Sequence, residues 1–228
     1  TEPFADIKVT LPDGTTLDAK ADDKGVWSVT PTEPLDNGKH DISVVATDKA
    51  GNPGNPEVIV VEVDATKPLP PLVGPGGTLE KAYDNVDPKP GDLQSGDRTN
   101  DTRPTFSGHG EVGDTVTIYV NGKDVGTAKV GPGKTWSYEL PKEEALPRGD
   151  NYYAQVMVTD PAGNPWDLSG KFFFSVDLEG PDTTAKLADA SDCGVKGDGK
   201  TSDATPTIEG KTEPFADVKV EFPTGEIK

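Results

Sequence analysis

The chain of 228 residues carries 22 basic and 40 acidic residues, a net charge of −18, which repels nucleic-acid phosphates and argues against that class of partner. Its 26 glycines and 22 prolines, with aromatics at only 7%, favour short strands and turns over helices. Cys193 is the single cysteine, so no internal disulfide forms, and no stretch reads as a signal peptide or a membrane span.

The chain opens on Thr1-Glu2-Pro3-Phe4-Ala5-Asp6, and the same six residues return as Thr212-Glu213-Pro214-Phe215-Ala216-Asp217. Repetition this close marks a modular array. A middle copy, with Gly110-Glu111-Val112-Gly113-Asp114 in place of the repeated run, divides the interval into periods of about 105 residues, the size of an immunoglobulin-type sandwich.

Taken in order, Ile7, Val9 and Leu11 alternate with polar residues such as Lys8 and predict a half-buried strand. It stops at the turn Pro12-Asp13-Gly14. Gly25-Val26-Trp27-Ser28-Val29 predicts a second strand with Trp27 as a core anchor. His40, Ile42, Val44 and Ala46 form a third, with His40 a partly buried structural residue, and Ile59, Val61 and Val63 a fourth. The order restarts at Pro104-Thr105-Phe106-Ser107-Gly108, an element that residues 1–65 lack. It continues through Val116, Ile118 and Val120, the turn Asn121-Gly122, and the strand Lys134 to Tyr138 around Trp136. Tyr152, Ala154, Val156 and Val158 follow, then Phe172, Phe174 and Val176. A third start comes at Pro206-Thr207-Ile208-Glu209-Gly210, with Val218, Val220 and Phe222 behind it and a turn at Pro223-Thr224-Gly225.

One unit therefore holds about seven short strands. The predicted fold is all-β, tandem immunoglobulin-like sandwiches in an elongated array. Residues 1–65 are the C-terminal part of one repeat, 66–178 a complete repeat, and 179–228 the N-terminal part of a third. An incomplete sandwich exposes a core face and a sheet edge. Trimming or proteolysis of a longer array would account for such ends; head-to-tail self-association, with the tail of one molecule completing the head of the next, is the alternative.

Aspartates gather where the repeats join. Asp48 lies in Thr47-Asp48-Lys49-Ala50-Gly51-Asn52 and Asp64 in Val63-Asp64-Ala65-Thr66-Lys67-Pro68, and Asp84, Asp87, Asp92, Asp97 and Asp101 follow. The plan recurs with Asp160 in Thr159-Asp160-Pro161-Ala162-Gly163-Asn164, then Asp177, Asp182, Asp189, Asp192, Asp198 and Asp203. In a sandwich the loop before the last strand and the end of that strand are expected at one pole, where the loops opening the next module meet them, so carboxylates of adjoining modules come together there. Like charges so placed repel, and a hard divalent cation relieves them. Calcium suits best, because it accepts six to eight oxygens in loose geometry. Two histidines and one cysteine argue against zinc. Taken singly, each Asp is equally what a turn needs.

These segments, together with Ser191-Asp192-Cys193-Gly194 and Thr201-Ser202-Asp203-Ala204-Thr205-Pro206-Thr207, resemble the bacterial Ig-like repeats of giant adhesins exported by type I secretion in Gram-negative bacteria. The resemblance covers essentially the whole chain and implies an extended, calcium-stiffened stalk outside the cell. Carried over, it implies calcium ligands at Asp48, Asp64, Asp84 and Asp87 for one junction, and at Asp160, Asp177, Asp189 and Asp192 for the other. Asp97, Asp101, Asp198 and Asp203 look similar to a second, intradomain group. Asp84-Asn85-Val86-Asp87-Pro88 departs from the usual Asp-x-Gly, and Cys193 stands where Ser or Thr is typical.

The implied function is a spacer on the bacterial surface that presents a distal adhesive domain. Its partners are neighbouring repeats and, through other domains, a host-cell or surface ligand. Two other readings stand beside it: a module that itself binds a host glycan or receptor, and a linker module of a secreted polysaccharide enzyme. No nucleophile–base pair or phosphate loop points to catalysis, and the paired carboxylates lie at junctions, with no aromatic-lined cleft in evidence. Arg148-Gly149-Asp150 spells an integrin tripeptide, but a turn alone asks for that glycine. Trp166 sits in the loop before a last strand, packed on its own module or free for a partner. Cys193 lies among carboxylates, where nothing nearby is expected to lower its pKa.

Overall fold

The computed structural model describes residues 1–214 and 216–222. They belong to two compact units, Thr1–Val176 and Asp177–Lys228.

The first unit begins with β1 (Asp6–Thr10), β2 (Thr16–Lys20), β3 (Gly38–Thr47) and β4 (Glu57–Val63), one antiparallel sheet in the order β2-β1-β3-β4. Ala5, Ile7, Val9, Leu11, Ala21 and Ile42 form its core, with Trp27 packed partly buried against them. On β4, Val58, Ile59 and Val60 are exposed, so both faces of its first half are bare.

The same unit continues with β5 (Lys81–Asp84), β6 (Gly91–Leu93), β7 (Asp97–Thr99), β8 (Thr105–His109), β9 (Thr115–Val120), β10 (Lys123–Lys129), β11 (Thr135–Glu139), β12 (Gly149–Thr159) and β13 (Phe172–Val176). They make two sheets, β10-β9-β12-β13-β7 and β11-β8-β5-β6. Inward residues alternate as the sequence requires: Val116, Ile118 and Val120 on β9 and Ala154, Val156 and Val158 on β12 are all buried. Phe106 of β8 meets Phe174 of β13 edge-on, with ring centroids 5.8 Å apart, and so ties one sheet to the other. Trp136 Nε1–H donates to Thr78 O at 2.7 Å, which satisfies the one polar atom of that buried ring. The Asn121-Gly122 turn has φ of +50° and +81°, the left-handed pair that a two-residue hairpin demands.

The second unit holds β14 (Thr184–Leu187) and β15 (Ile208–Lys211), paired antiparallel. No α-helix occurs among the described residues; Lys142–Glu144 form a single 3-10 turn.

The complete module has nine strands where about seven were expected. Two predicted strands are absent. Gly25–Val29 forms none, although its counterpart is β11. The reason is pairing: β11 hydrogen-bonds to β8, Trp136 opposite Gly108, and residues 1–65 contain no counterpart of β8. Val218–Phe222 likewise forms no strand. Its counterparts β1 and β9 each lie between two antiparallel partners, and no such partners flank it among the described residues. Phe215 and the turn Pro223-Thr224-Gly225 lie outside the described residues.

Register fixes which residues share an end of the complete module. Gly149 pairs with Val176, so Val176 lies at the end of the β12–β13 hairpin away from Asp160. The end with His109–Asp114 and Asp160 is termed the entry pole. The end with Asp84, Asp101 and Val176 is the exit pole.

Candidate metal centres

At the entry pole Thr115 pairs with Thr159, so Asp114 and Asp160 stand one residue beyond a rung of the sheet. Asp160 opens a tight loop. Its Oδ1 accepts the Asn164 backbone N–H and its Oδ2 accepts Asn164 Nδ2–H, both at 2.8 Å. The Asn164 side-chain amide, above all, holds the Asp160 carboxyl below its ordinary pKa. Asp48 repeats this design in the first module. Its Oδ1 accepts the Ala50 and Asn52 N–H groups at 2.8 Å, and Asn52 Nδ2–H reaches its Oδ2 at 2.9 Å. Here too the Asn52 side chain is the main cause of a lowered pKa.

Asn164 has a second role. Its Nδ2–H also donates to Asp64 O at 2.8 Å, and so ties the residue that ends the first module to a loop of the next. The Asp64 carboxylate accepts the Thr66 N–H at 2.9 Å. Beside this loop lies Asp114, 3% exposed. Burial raises its pKa first, and the charge of Glu111 adds to that, with a further push from Asp160. The entry pole thus holds Glu111, Asp114 and Asp160, and Asn164 bridges Asp160 to the carbonyl of Asp64.

At the exit pole two buried carboxylates share one network. Asp84 Oδ1 accepts the Val86 N–H at 2.8 Å and its Oδ2 accepts the Thr99 hydroxyl at 2.5 Å. The same Thr99 Oγ1 accepts the Asp101 N–H at 2.9 Å. Asp101 Oδ1 accepts the Arg103 N–H at 2.7 Å, and its Oδ2 the Asn85 N–H at 3.2 Å. Asp87 contributes its carbonyl, which accepts Asn100 Nδ2–H at 2.8 Å. Asp97 is exposed and accepts the Gln94 N–H at 2.8 Å.

In the second unit Asp177 accepts the Glu179 N–H at 3.3 Å, and Asp189 pairs with Lys186 at 3.2 Å. Asp198 accepts the Lys200 N–H at 3.0 Å. Asp203 accepts the Thr205 N–H and the Ser191 hydroxyl, both at 2.8 Å, and these bonds lower its pKa, the Thr205 N–H foremost. Asp192 is 4% exposed. Its Oδ2 accepts the Gly197 N–H at 2.6 Å, while its Oδ1 is buried with no hydrogen-bond partner among the described residues.

These positions correct the expected groupings. Asp48 and Asp64 do not share a junction, because Gly38 pairs with Val63 and Asp48 follows the far end of β3. That strand has 10 residues, a run of about 33 Å. Asp84 and Asp87 lie at the exit pole, whereas Asp64 meets the entry pole. Asp160 is likewise separated from Val176, which precedes Asp177. The physical reason is direction: a hairpin carries the chain to one pole and its second strand carries it back. Asp84 and Asp101, expected in different groups, share the Thr99 network. Glu111 and Asp114 escaped the sequence reading. The signal was there, since they stand in the middle copy of the repeated run, with Asp114 in the place of Ala5.

Among the described residues, no three His, Cys, Asp or Glu side chains converge closely enough to enclose a metal. The donors that do approach one another are oxygens, which fit a hard cation. The orphaned Asp192 Oδ1 is an atom such a cation would satisfy.

Other singled-out residues also find their places. Cys193 is exposed, and hydroxyls of Ser202 and then Thr201 draw its thiol below the ordinary pKa, against the sequence expectation. His40 is half-buried with Nε2 2.6 Å from Asp36 O, and His109 Nδ1 lies 3.3 Å from Glu80. Trp166 is half-buried in its own unit, with the Lys67 ammonium 5.3 Å from its ring centroid. Asp150 of the Arg-Gly-Asp run faces Arg98 at 3.7 Å. No helix among the described residues is long and apolar enough to cross a membrane.

Two facing sheets of short strands, closed at their edge by a parallel strand, define an immunoglobulin-type sandwich. The chain belongs to the bacterial Ig-like domain family, whose sequence profile matches residues 2–65 and 84–178. Among solved structures it is similar to the BSP domain of a biofilm associated protein, at 19% identity and a TM-score of 0.32, over 78% of this chain and 26% of that one. It is also similar to dimeric latent PorU from Porphyromonas gingivalis, at 14% identity and a TM-score of 0.30, over 81% of this chain and 21% of that one. The chain thus spans about a quarter or less of the length of these two proteins. No curated protein matches it.

Proposed function

We propose that the chain is a stretch of spacer repeats from a large bacterial surface adhesin. Calcium held at the poles of its modules would restrain the joints and so carry a distal adhesive domain outward. The observation that carries this reading is the joint at the entry pole. Asn164 clamps Asp64 O while holding Asp160, and buried Asp114 lies beside Asp160 and Glu111. Carboxylates that raise one another's cost at a joint oppose its closure, and a hard cation offsets that repulsion. Asp114 and Asp160 would hold calcium there, with Asp64 O as a neutral donor and Glu111 adding negative charge nearby. The ion would supply the charge that lets these side chains stay packed.

The exit-pole pair Asp84 and Asp101, and the loop carrying Asp189, Asp192, Asp198 and Asp203, would serve as further sites of the same kind. Extracellular modules bind calcium at about 0.1–1 mM, which places the response in the range found outside cells. The family membership, and buried aromatic positions that serve the core, support a structural role over an enzymatic one.

Small-angle scattering with calcium and then with EGTA tests the reading. The expected result is a stiffer joint in calcium that loosens on chelation, and no response in Asp114→Ala/Asp160→Ala. Scattering curves identical in both buffers would refute it.

A further inference from the structure

The loop between β14 and β15 already holds a cation of the protein's own. The Lys196 ammonium donates to Asp189 O at 2.6 Å and also to Asp192 O. Two main-chain carbonyls turned towards one positive centre is a ligand arrangement that hard cations use. The cage is braced from behind. The Thr201 hydroxyl donates to Ser191 O, the Ser191 hydroxyl donates to Asp203 Oδ2 at 2.8 Å, and the Thr207 N–H donates to Ser191 Oγ at 3.0 Å. Inside this frame Asp192 Oδ1 is buried without a partner among the described residues. A buried oxygen left unmet is costly, and more so on a carboxylate. Lys196 satisfies the carbonyls around it and leaves this atom unsatisfied.

We propose that Lys196 is a tethered stand-in for a divalent cation. It holds the Asp189 and Asp192 carbonyls while that cation is scarce, and withdraws when one binds through those carbonyls and Asp192 Oδ1. The inference rests on the calcium reading above and adds its regulation in this loop. An ammonium offers three donors and a single charge on a flexible stem. A calcium ion accepts more oxygens at double the charge, and so can also meet Oδ1. The exchange does two things. The loop stays ordered without the metal, because its carbonyls are never unpaired. The metal's apparent affinity is reduced, because it binds only the fraction of molecules from which the ammonium has withdrawn.

The test titrates CaCl2, with MgCl2 as the comparison ion, into the full chain and follows the Gly197 amide by NMR, since that N–H bonds Asp192 Oδ2. Lys196→Met keeps the stem and removes the charge. The midpoint at Gly197 is expected to move to lower calcium by about threefold or more. The same variant is expected to melt earlier in EGTA and to recover in saturating calcium. Lys196→Arg keeps the charge and is expected to titrate near the wild type. A response at Gly197 in the variant alone supports the proposal in its strongest form. If the wild type titrates and Lys196→Met titrates at the same or higher calcium, Lys196 is only a staple and the inference is overturned. If neither responds, the calcium reading of this loop falls with it, while the entry-pole scattering test stands apart.

Discussion

Asp114 sits in an environment that opposes its charge. Its carboxyl pKa is raised in the folded protein, by burial first and by Glu111 next, above an unfolded value of about 3.9. A raised carboxyl binds its proton more tightly when folded. Its stabilising contribution therefore exists at acid pH and is lost as pH climbs through the folded value. Asp114→Asn is expected to melt a few degrees above the wild type at pH 7 in EGTA, with the gap closing towards pH 3. A calorimetric scan at both pH values checks this. Asp160 and Asp48 have the opposite sign: their lowered pKa values favour the fold above the unfolded value, and that benefit goes as pH falls through the folded one. Cys193 offers a second residue-level test. With Ser202 the largest cause of its lowered pKa, iodoacetamide should label it at lower pH than an ordinary thiol, and Ser202→Ala should move the midpoint up.

At the scale of the element, the two cores of the first unit are separate clusters. Phe174, 1% exposed and packed on Phe106 and Tyr152, belongs to one, and Ile7, 1% exposed, to the other. Phe174→Ala is expected to cost about 3–5 kcal/mol and Ile7→Ala about 2–5 kcal/mol. The two effects should act on different urea transitions and add when combined.

Gly108 and Gly210, the last residues of the two Pro-Thr-x-x-Gly runs, explain why that run recurs. An added Cβ would meet Thr78 O at 2.1 Å in one and Thr184 O at 2.0 Å in the other. Gly108→Ala should therefore cost about 1–3 kcal/mol, read from the urea midpoint. The long strands were legible because alternation over five or more residues leaves little choice of face. β5, β6 and β7, at 4, 3 and 3 residues, are too short to show a period. β10 hides its own, because the register slips between Asp124 and Gly126. The carboxylates were legible as a population and misplaced as groups. Hydrophobic pattern gives a strand its faces and says nothing of which pole it runs towards. The solitude of Asp192 Oδ1 depends on how one loop coils, which no periodicity records.

For the molecule as a whole, one tie between residues 1–65 and the complete module is the hydrogen bond from Asn164 to Asp64 O. Asn164→Ala removes the hydrogen bond to Asp64 O, worth about 1 kcal/mol. Spin labels on either side of Asp64 should report a broader distance distribution in this variant, with the stability of the complete module little changed. An unchanged distribution would mean that other contacts set the joint.

In the spacer role proposed above, the pairing of β7 with β13 would matter. The two strands run parallel, with Asp97, Arg98 and Thr99 opposite Phe174, Ser175 and Val176. Traction on the two ends of the module drags such neighbours past each other lengthwise, so every rung is strained together, whereas an antiparallel hairpin pulled at one end opens like a zip. A force microscope should accordingly record one abrupt rupture for this module, and gradual lengthening at low force would show that the tension travels elsewhere.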